Sequence, residues 1–281
     1  MSEFKSFFKT VGGGEGERCN YTTRLDTYGK GCANNCSYCY ARSLLEFRKL
    51  WNPEEPGIAD IDKVRRTIQR KTNPNMIVRL GGMTDCFQEA EKENRVTYQA
   101  IQALNEQRTG YLIVTKNPLV ATDEYIEVMD KDLAHIQVSI TATNDQVNST
   151  FESAEPYTQR KAAIEKLHRM GFDVQVRLSL FIPEFIELDE LNSIECDKIL
   201  IEFLRVNHWI RTWLDIDFSE YTLKQGSYRH LPLEKKLELL RGITGFKEYT
   251  VCDDVPEHYE YFSANYNHNP NDCCNLRIKE G

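Results

Sequence analysis

Short β-branched apolar runs alternate with longer amphipathic stretches along most of the chain. Asn75 to Leu80 (NMIVRL), Tyr111 to Thr115 (YLIVT), Ala134 to Ile140, Asp173 to Leu180 and Lys198 to Leu204 read as buried strands. A first strand is expected near Thr23 to Tyr28, and a short late one near Tyr249 to Cys252. Between them, Arg95 to Asn105, Asp123 to Met129, Tyr157 to Met170 and Glu234 to Arg241 carry helical spacing. Glu155-Pro156 opens the third of these helices, and Gly171 closes it as a C-cap glycine does.

Strands that alternate with helices predict a parallel sheet with helical crossovers. About six βα units are too few for an eight-fold barrel, so the expected fold is α/β, a partial (β/α)6 TIM-like barrel with a C-terminal extension. Residues 1–20, with Gly12-Gly13-Gly14, read as a flexible lead-in, 21–210 as the barrel core, and 211–281 as an extension closing the barrel. Chemistry is expected at the C-terminal ends of the strands, where parallel α/β folds place it.

A length of 281 residues suits one large core or two modest ones, and α/β barrels of this length are routinely single domains. The chain shows no secretory pattern and no apolar run long enough to span a bilayer, so a soluble, cytoplasmic protein with no membrane partner is expected. Nine cysteines, an odd number that includes adjacent Cys273 and Cys274, suit a reducing compartment better than a disulfide framework. The net charge of -8 excludes a generally basic nucleic-acid-binding surface but leaves room for a local groove. Lys63, Arg65, Arg66, Arg70 and Lys71 form one basic run, best read as the solvated face of a helix.

The strongest chemical signal is Cys32, Cys36 and Cys39 in GCANNCSYCYAR, directly after the first strand. Flanking Gly, Asn and Ser make this a loop rather than a core segment. Metal centres built on thiolates normally take four ligands, whether zinc or iron-sulfur. Here the next Cys or His residues are Cys86 and His135, too far along the chain for a zinc knuckle. Three thiolates leave one coordination position open for another ligand.

Polar or small residues recur at the strand ends. Gly81-Gly82-Met83-Thr84-Asp85-Cys86 follows the second strand, Thr115-Lys116-Asn117-Pro118 the third, and Ser139-Ile140-Thr141 the fourth; Arg177 and Ser179 lie on the fifth, and Glu202, Arg205 and Asn207 on the sixth. Glycines let a ligand approach the backbone closely. An acidic side chain suits an ammonium group, a lysine a carboxylate, and hydroxyls a ribose. Singly each is more often a cap or surface residue; together they suit an amino acid joined to a nucleoside.

CxxxCxxC resembles the signature of the radical S-adenosylmethionine (SAM) superfamily. The ordered set CSYCYAR, MTDC, VTKNP, VSIT and VRLSLFIP, over roughly residues 24–185, resembles the spore photoproduct lyase and DNA repair photolyase-like branch. That resemblance implies a [4Fe-4S] cluster held by Cys32, Cys36 and Cys39, with SAM chelating the fourth iron. It implies that Gly81, Gly82, Thr84 and Asp85 receive the SAM amino end, Lys116 its carboxylate, and Ser139 with Thr141 the ribose side. Tyr38 and Tyr40 fall at tyrosine positions near SAM and the hydrogen-transfer path, or pack over the cluster. Arg177, at the cofactor and substrate sides alike, Arg205 and the basic run from Lys63 to Lys71 are candidates for phosphate contacts. The implied activity is reductive cleavage of SAM to a 5′-deoxyadenosyl radical that abstracts hydrogen from a substrate, by analogy a nucleobase in DNA, either repaired or modified. A flavodoxin- or ferredoxin-type donor would supply the electron.

One departure stands out. True spore photoproduct lyases carry a hydrogen-donor cysteine directly before their Thr-Ser-Asp stretch, where this chain has Gly82-Met83; Cys86 follows Asp85 instead, either as a displaced donor or as a buried inert thiol. Cys252, Cys273 and Cys274, with Cys19 and Cys196, are candidates for an auxiliary cluster, although their spacing is irregular. The aromatic stretch Glu257 to His268 reads as packing or as a stacking surface. The alternatives are a radical SAM enzyme acting on a free nucleoside or peptide, a zinc-containing binding protein, and an iron-sulfur sensor.

Overall fold

A computed structural model describes residues 8–10, 12 and 18–277. Gly13 and Gly14, part of the expected lead-in, lie outside the described residues. Within that same stretch, however, Phe8–Thr10 forms a strand.

The principal sheet has eight strands, labelled here in chain order: β1 (Phe8–Thr10), β2 (Thr23–Leu25), β3 (Ile77–Leu80), β4 (Gly110–Thr115), β5 (Ala134–Ile140), β6 (Asp173–Phe181), β7 (Lys198–Phe203) and β8 (Glu248–Val251). Spatial order follows chain order. β2 to β8 pair in parallel, and β1 adds antiparallel to β2. The curled parallel sheet is the partial TIM-like barrel expected from the strand and helix order, extended by β8. Two short ribbons, Tyr28–Gly29 with Gly57–Ile58 and Leu223–Gln225 with Tyr228–His230, stand apart from it.

Helices Val96–Glu106, Asp123–Val128, Tyr157–Arg169 and Leu233–Leu240 lie within a residue or two of their expected bounds. Gly171 follows the third at φ +80°, the left-handed conformation that ends a helix at little cost only for glycine. The basic run lies on helix Ile61–Lys71, which Asp60 caps through the Asp62 and Lys63 amides. Only Val64 and Ile68 of that helix are buried, so its charges form the solvated outer face. Among the described residues no helix is long and apolar enough to cross a membrane.

Strand side chains alternate between two faces, one packed on the helices and one turned into the barrel. In β5, Ile136, Val138 and Ile140 join the main apolar core, while His135, Gln137 and Ser139 take the other face; all six are buried. Polar side chains continue across this inner face. Gln137 Nε2 donates to Gln175 Oε1 at 2.9 Å, and Arg177 Nη1 donates to Gln137 Oε1 at 2.6 Å. At the N-terminal ends of the strands, Asp173 accepts from Lys198 Nζ at 2.8 Å and sits 2.6 Å from His135 Nδ1. Burial opposes ionisation of Asp173, but His135 and Lys198 outweigh it and hold its carboxyl well below the usual range. The tail meets the same cluster, because Arg277 N donates to Asp173 and Lys198 Nζ to the Asn275 carbonyl.

Candidate active site

The cysteine loop begins after the ribbon Tyr28–Gly29 and is shaped by two tight turns, Asn35 N to Cys32 O at 3.1 Å and Cys39 N to Cys36 O at 3.2 Å. Two further backbone bonds, Ser37 N to Phe151 O and Ser153 N to Asn34 O, both 2.8 Å, dock the loop on residues 151–153. Cys39 caps helix Tyr40–Phe47, its sulfur accepting from Arg42 N. That cap explains why the chain turns helical immediately after the third cysteine.

Cys32, Cys36 and Cys39 line a cavity of about 250 Å³ at the C-terminal ends of the strands. The cavity brings together most of the residues that the sequence singles out: Tyr38, Tyr40, Gly81, Gly82, Thr84, Asp85, Lys116, Ser139, Arg177 and Arg205. Thr141 and Cys86 are not in its wall. Thr141 is buried behind it, hydrogen-bonded with Lys116 and Tyr38 at 3.2 Å each. Cys86 is 1 % exposed and belongs to the apolar core with Phe87, where burial, then Asp85, pushes its thiol up.

The strip after β3 is organised by two aspartates. Asp26 Oδ1 accepts from the amides of Gly82 and Met83 at 2.8 and 2.9 Å. Asp85 accepts four hydrogen bonds, from Thr115 Oγ1, Lys116 N, Phe87 N and Asn34 Nδ2, at 2.7 to 3.2 Å. It thereby ties the cysteine loop to the end of β4. Thr84 spends its hydroxyl on the Tyr28 carbonyl at 2.6 Å, and Tyr40 donates to the Gly82 carbonyl at 2.6 Å. Gly81 has φ +81°, and a Cβ there would stand 2.7 Å from the Val114 carbonyl oxygen. The backbone therefore passes close to β4 as well as to the cavity.

Behind the cysteines lies a buried ionic cluster centred on Glu152, a residue no local pattern marks. Arg160 and the Tyr38 hydroxyl bond its carboxylate, Lys116 Nζ stands at 3.4 Å, and Cys36 Sγ at 3.6 Å. Burial alone would raise this carboxyl, but the Lys116 and Arg160 cations outweigh it and hold it at about 2. Lys116 also lies 5.2 Å from the centre of the Tyr38 ring. Asp26, Glu152 and Arg160 support the cavity and are left unmarked by the sequence alone, because a buried charge in a loop or helix is recognisable only from the partner that distant chain supplies.

The donor set fits an iron-sulfur cluster. Burial, then the Asp85 carboxylate, raise the Cys32 thiol to about 12, and burial, then Glu152, raise Cys36 well above the free-thiol range. Such thiols ionise on taking metal. A cubane asks each thiolate to reach a different iron, whereas zinc asks all of them to reach one.

The Radical SAM superfamily profile matches residues 27–191, more than half of the chain. The protein belongs to the radical SAM superfamily. Membership implies a [4Fe-4S] cluster and SAM, for which Cys32, Cys36 and Cys39 are the fitting ligands. An uncharacterized protein of Mycobacterium tuberculosis is 26% identical over 173 residues, covering 57% of this chain and 50% of that protein. One of Mycobacterium bovis matches with the same 26% identity and the same coverage. The chain thus spans about half the length of the curated relatives it matches. Among solved structures, a spore photoproduct lyase variant with bound AdoMet and dinucleoside spore photoproduct has a TM-score of 0.61 at 15% identity, over 91% of this chain and 77% of that one. SuiB of Streptococcus suis bound to its precursor peptide SuiA has a TM-score of 0.53 at 11% identity, over 81% and 48%. Likeness at these identities concerns the fold of this radical SAM protein.

Proposed function

We propose that this radical SAM protein is an enzyme that abstracts hydrogen from a nucleobase, in DNA or as a nucleoside, and so repairs or modifies it. When bound, the cluster and SAM would supply the one-electron reductive chemistry for hydrogen abstraction. The chain's part is to hold, orient and exclude water. Cys32, Cys36 and Cys39 supply the thiolates. The Gly81-Gly82 backbone offers close approach to the SAM amino end. Lys116, kept in place by Glu152 and Thr141, offers a cation to its carboxylate, and Ser139 a hydroxyl to its ribose.

The observation that favours a nucleobase is Arg205. Its guanidinium lies 5.2 Å from the centre of the Tyr40 ring and 5.3 Å from that of Tyr228, in the cavity wall. Arg42 stacks over Trp213 at 4.2 Å, and Trp209 on the same helix is 38% exposed. Cations interleaved with aromatic faces are how proteins bind unstacked bases and their phosphates. Arg177 is committed to Gln137 and Glu202, which makes it a support for the wall ahead of a phosphate ligand. Spore photoproduct lyase structures solved with a dinucleoside share this fold, as does SuiB with its precursor peptide.

Anaerobic reconstitution with iron and sulfide, then dithionite and SAM, should yield 5′-deoxyadenosine on chromatography. Cys36→Ala should yield none. Added single-stranded DNA, duplex DNA, nucleosides and peptides should separate the substrate classes; turnover with peptide alone would overturn the nucleobase reading.

A further inference from the structure

The cavity holds a second group of cysteines. Cys19, Cys252, Cys273 and Cys274 come from three distant stretches of chain, and all four share the wall that Cys32, Cys36 and Cys39 line. Cys273 and Cys274 are each 6% exposed and sit with Tyr21, Leu112 and Leu200 on the barrel interior, with Cys19 and Cys252 packed against them. All four are free thiols.

Their meeting place is the seam of the partial barrel. Cys19 precedes β2 near one edge of the sheet, and Cys252 follows β8 at the other. Four hydrogen bonds sew the two sides together: Asn20 Nδ2 to Asn271 O at 2.8 Å, Tyr21 OH to Asp272 Oδ2 at 2.7 Å, Tyr259 OH to Arg18 O at 3.1 Å and Arg18 Nη2 to Asp254 O at 3.3 Å. Asp272 also accepts from Cys274 N at 2.9 Å and Leu276 N at 3.1 Å, which fixes the turn presenting both adjacent cysteines. Arg79 lines the same cavity, and its Nε is buried with no hydrogen-bond partner.

We propose that Cys19, Cys252, Cys273 and Cys274 hold a second iron-sulfur cluster, which closes the barrel seam. Core packing does not call for four thiols drawn from three segments into one stretch of cavity wall. Neighbouring cysteines crowd a single ion, but they can reach separate irons of a cubane. A four-thiolate cluster is anionic, and the unpartnered N–H of Arg79 is a donor suited to its sulfurs. The site does not depend on SAM cleavage.

The test is iron and sulfide content of the full chain after anaerobic reconstitution, with folding of each variant checked by circular dichroism. Wild type should take about eight irons per chain, four for each [4Fe-4S] cluster. The triple variant Cys32→Ala, Cys36→Ala, Cys39→Ala should retain about four irons, and the pair Cys273→Ser, Cys274→Ser should also fall to about four. Wild type at about four irons with the triple variant at none overturns the second site and leaves the first intact. A triple variant equal to wild type at about four irons supports the second site and overturns the first. If the serine pair does not fold, the triple variant decides alone.

Discussion

The Lys116 ammonium stands 3.4 Å from the Glu152 carboxylate, so the cation that lines the cavity is anchored from behind by a fully buried anion. The second Glu152 oxygen is held by Arg160, whose side chain is also fully buried. A lysine fixed in this way presents its charge without the entropy cost of a free side chain. Glu152→Gln removes the anion and leaves Arg160 buried without a counter-charge. The expected loss is about 3–5 kcal/mol of stability, read from urea denaturation. A loss below about 1 kcal/mol would mean that the cluster contributes little to the fold.

Acid should weaken the fold in two stages. Burial, then the nearby Lys236 ammonium, hold the folded His230 imidazole at about 4, below its ordinary 6.5. The unfolded chain then takes up the proton first. Stability from neutral His230 is complete above pH 6.5 and is lost as pH falls through about 4. Glu152, held at about 2 against an ordinary 4.5, adds a loss that begins below 4.5. Thermal melts from pH 7.5 to 4.5 should fall for wild type and flatten in His230→Gln. Parallel curves for the two proteins would remove His230 from the account.

Gly81→Ala should damage both the fold and the cofactor surface. Its φ of +81° is left-handed, and the new methyl would meet the Val114 carbonyl at 2.7 Å, an atom held in the sheet. The strain is expected to cost about 1–3 kcal/mol, with SAM affinity falling at the same time. Equilibrium SAM binding and a urea titration on one preparation measure the two effects.

Arg205→Ala should weaken nucleic-acid or nucleotide binding with cluster content unchanged. Its guanidinium is framed by Tyr40 and Tyr228 and paired with Asp254 at 2.9 Å, all remote in sequence from the cysteine loop except Tyr40. Loss of a phosphate contact should lower the salt dependence of binding along with the affinity. An unchanged salt slope would assign Arg205 to stacking on a base instead.

The strands and helices were legible because each carries its own period. β3 to β7 and the helix Tyr157–Arg169 bury continuous runs or stripes that sequence spacing marks directly. Helix Tyr40–Phe47 and helix Pro256–Asn265 were not marked. The first depends on a cap from Cys39, and the second on aromatic residues whose role emerges only once they pack. β1 was hidden in a stretch that reads as a lead-in, because three residues gain strand character only from pairing with β2.

By itself, the sequence established the order of strands and helices, the CxxxCxxC loop after the first strand, and the polar strand ends that follow it. These are local properties, set by side-chain periodicity and by the spacing of ligands along a short loop. Tertiary structure alone decided that Glu152 and Arg160 back Lys116, that Cys86 belongs to the core, and that four cysteines meet at the barrel seam. Each of those outcomes depends on burial and pairing between residues far apart in the chain. A buried charge or thiol acquires its role from neighbours that only folding brings within reach.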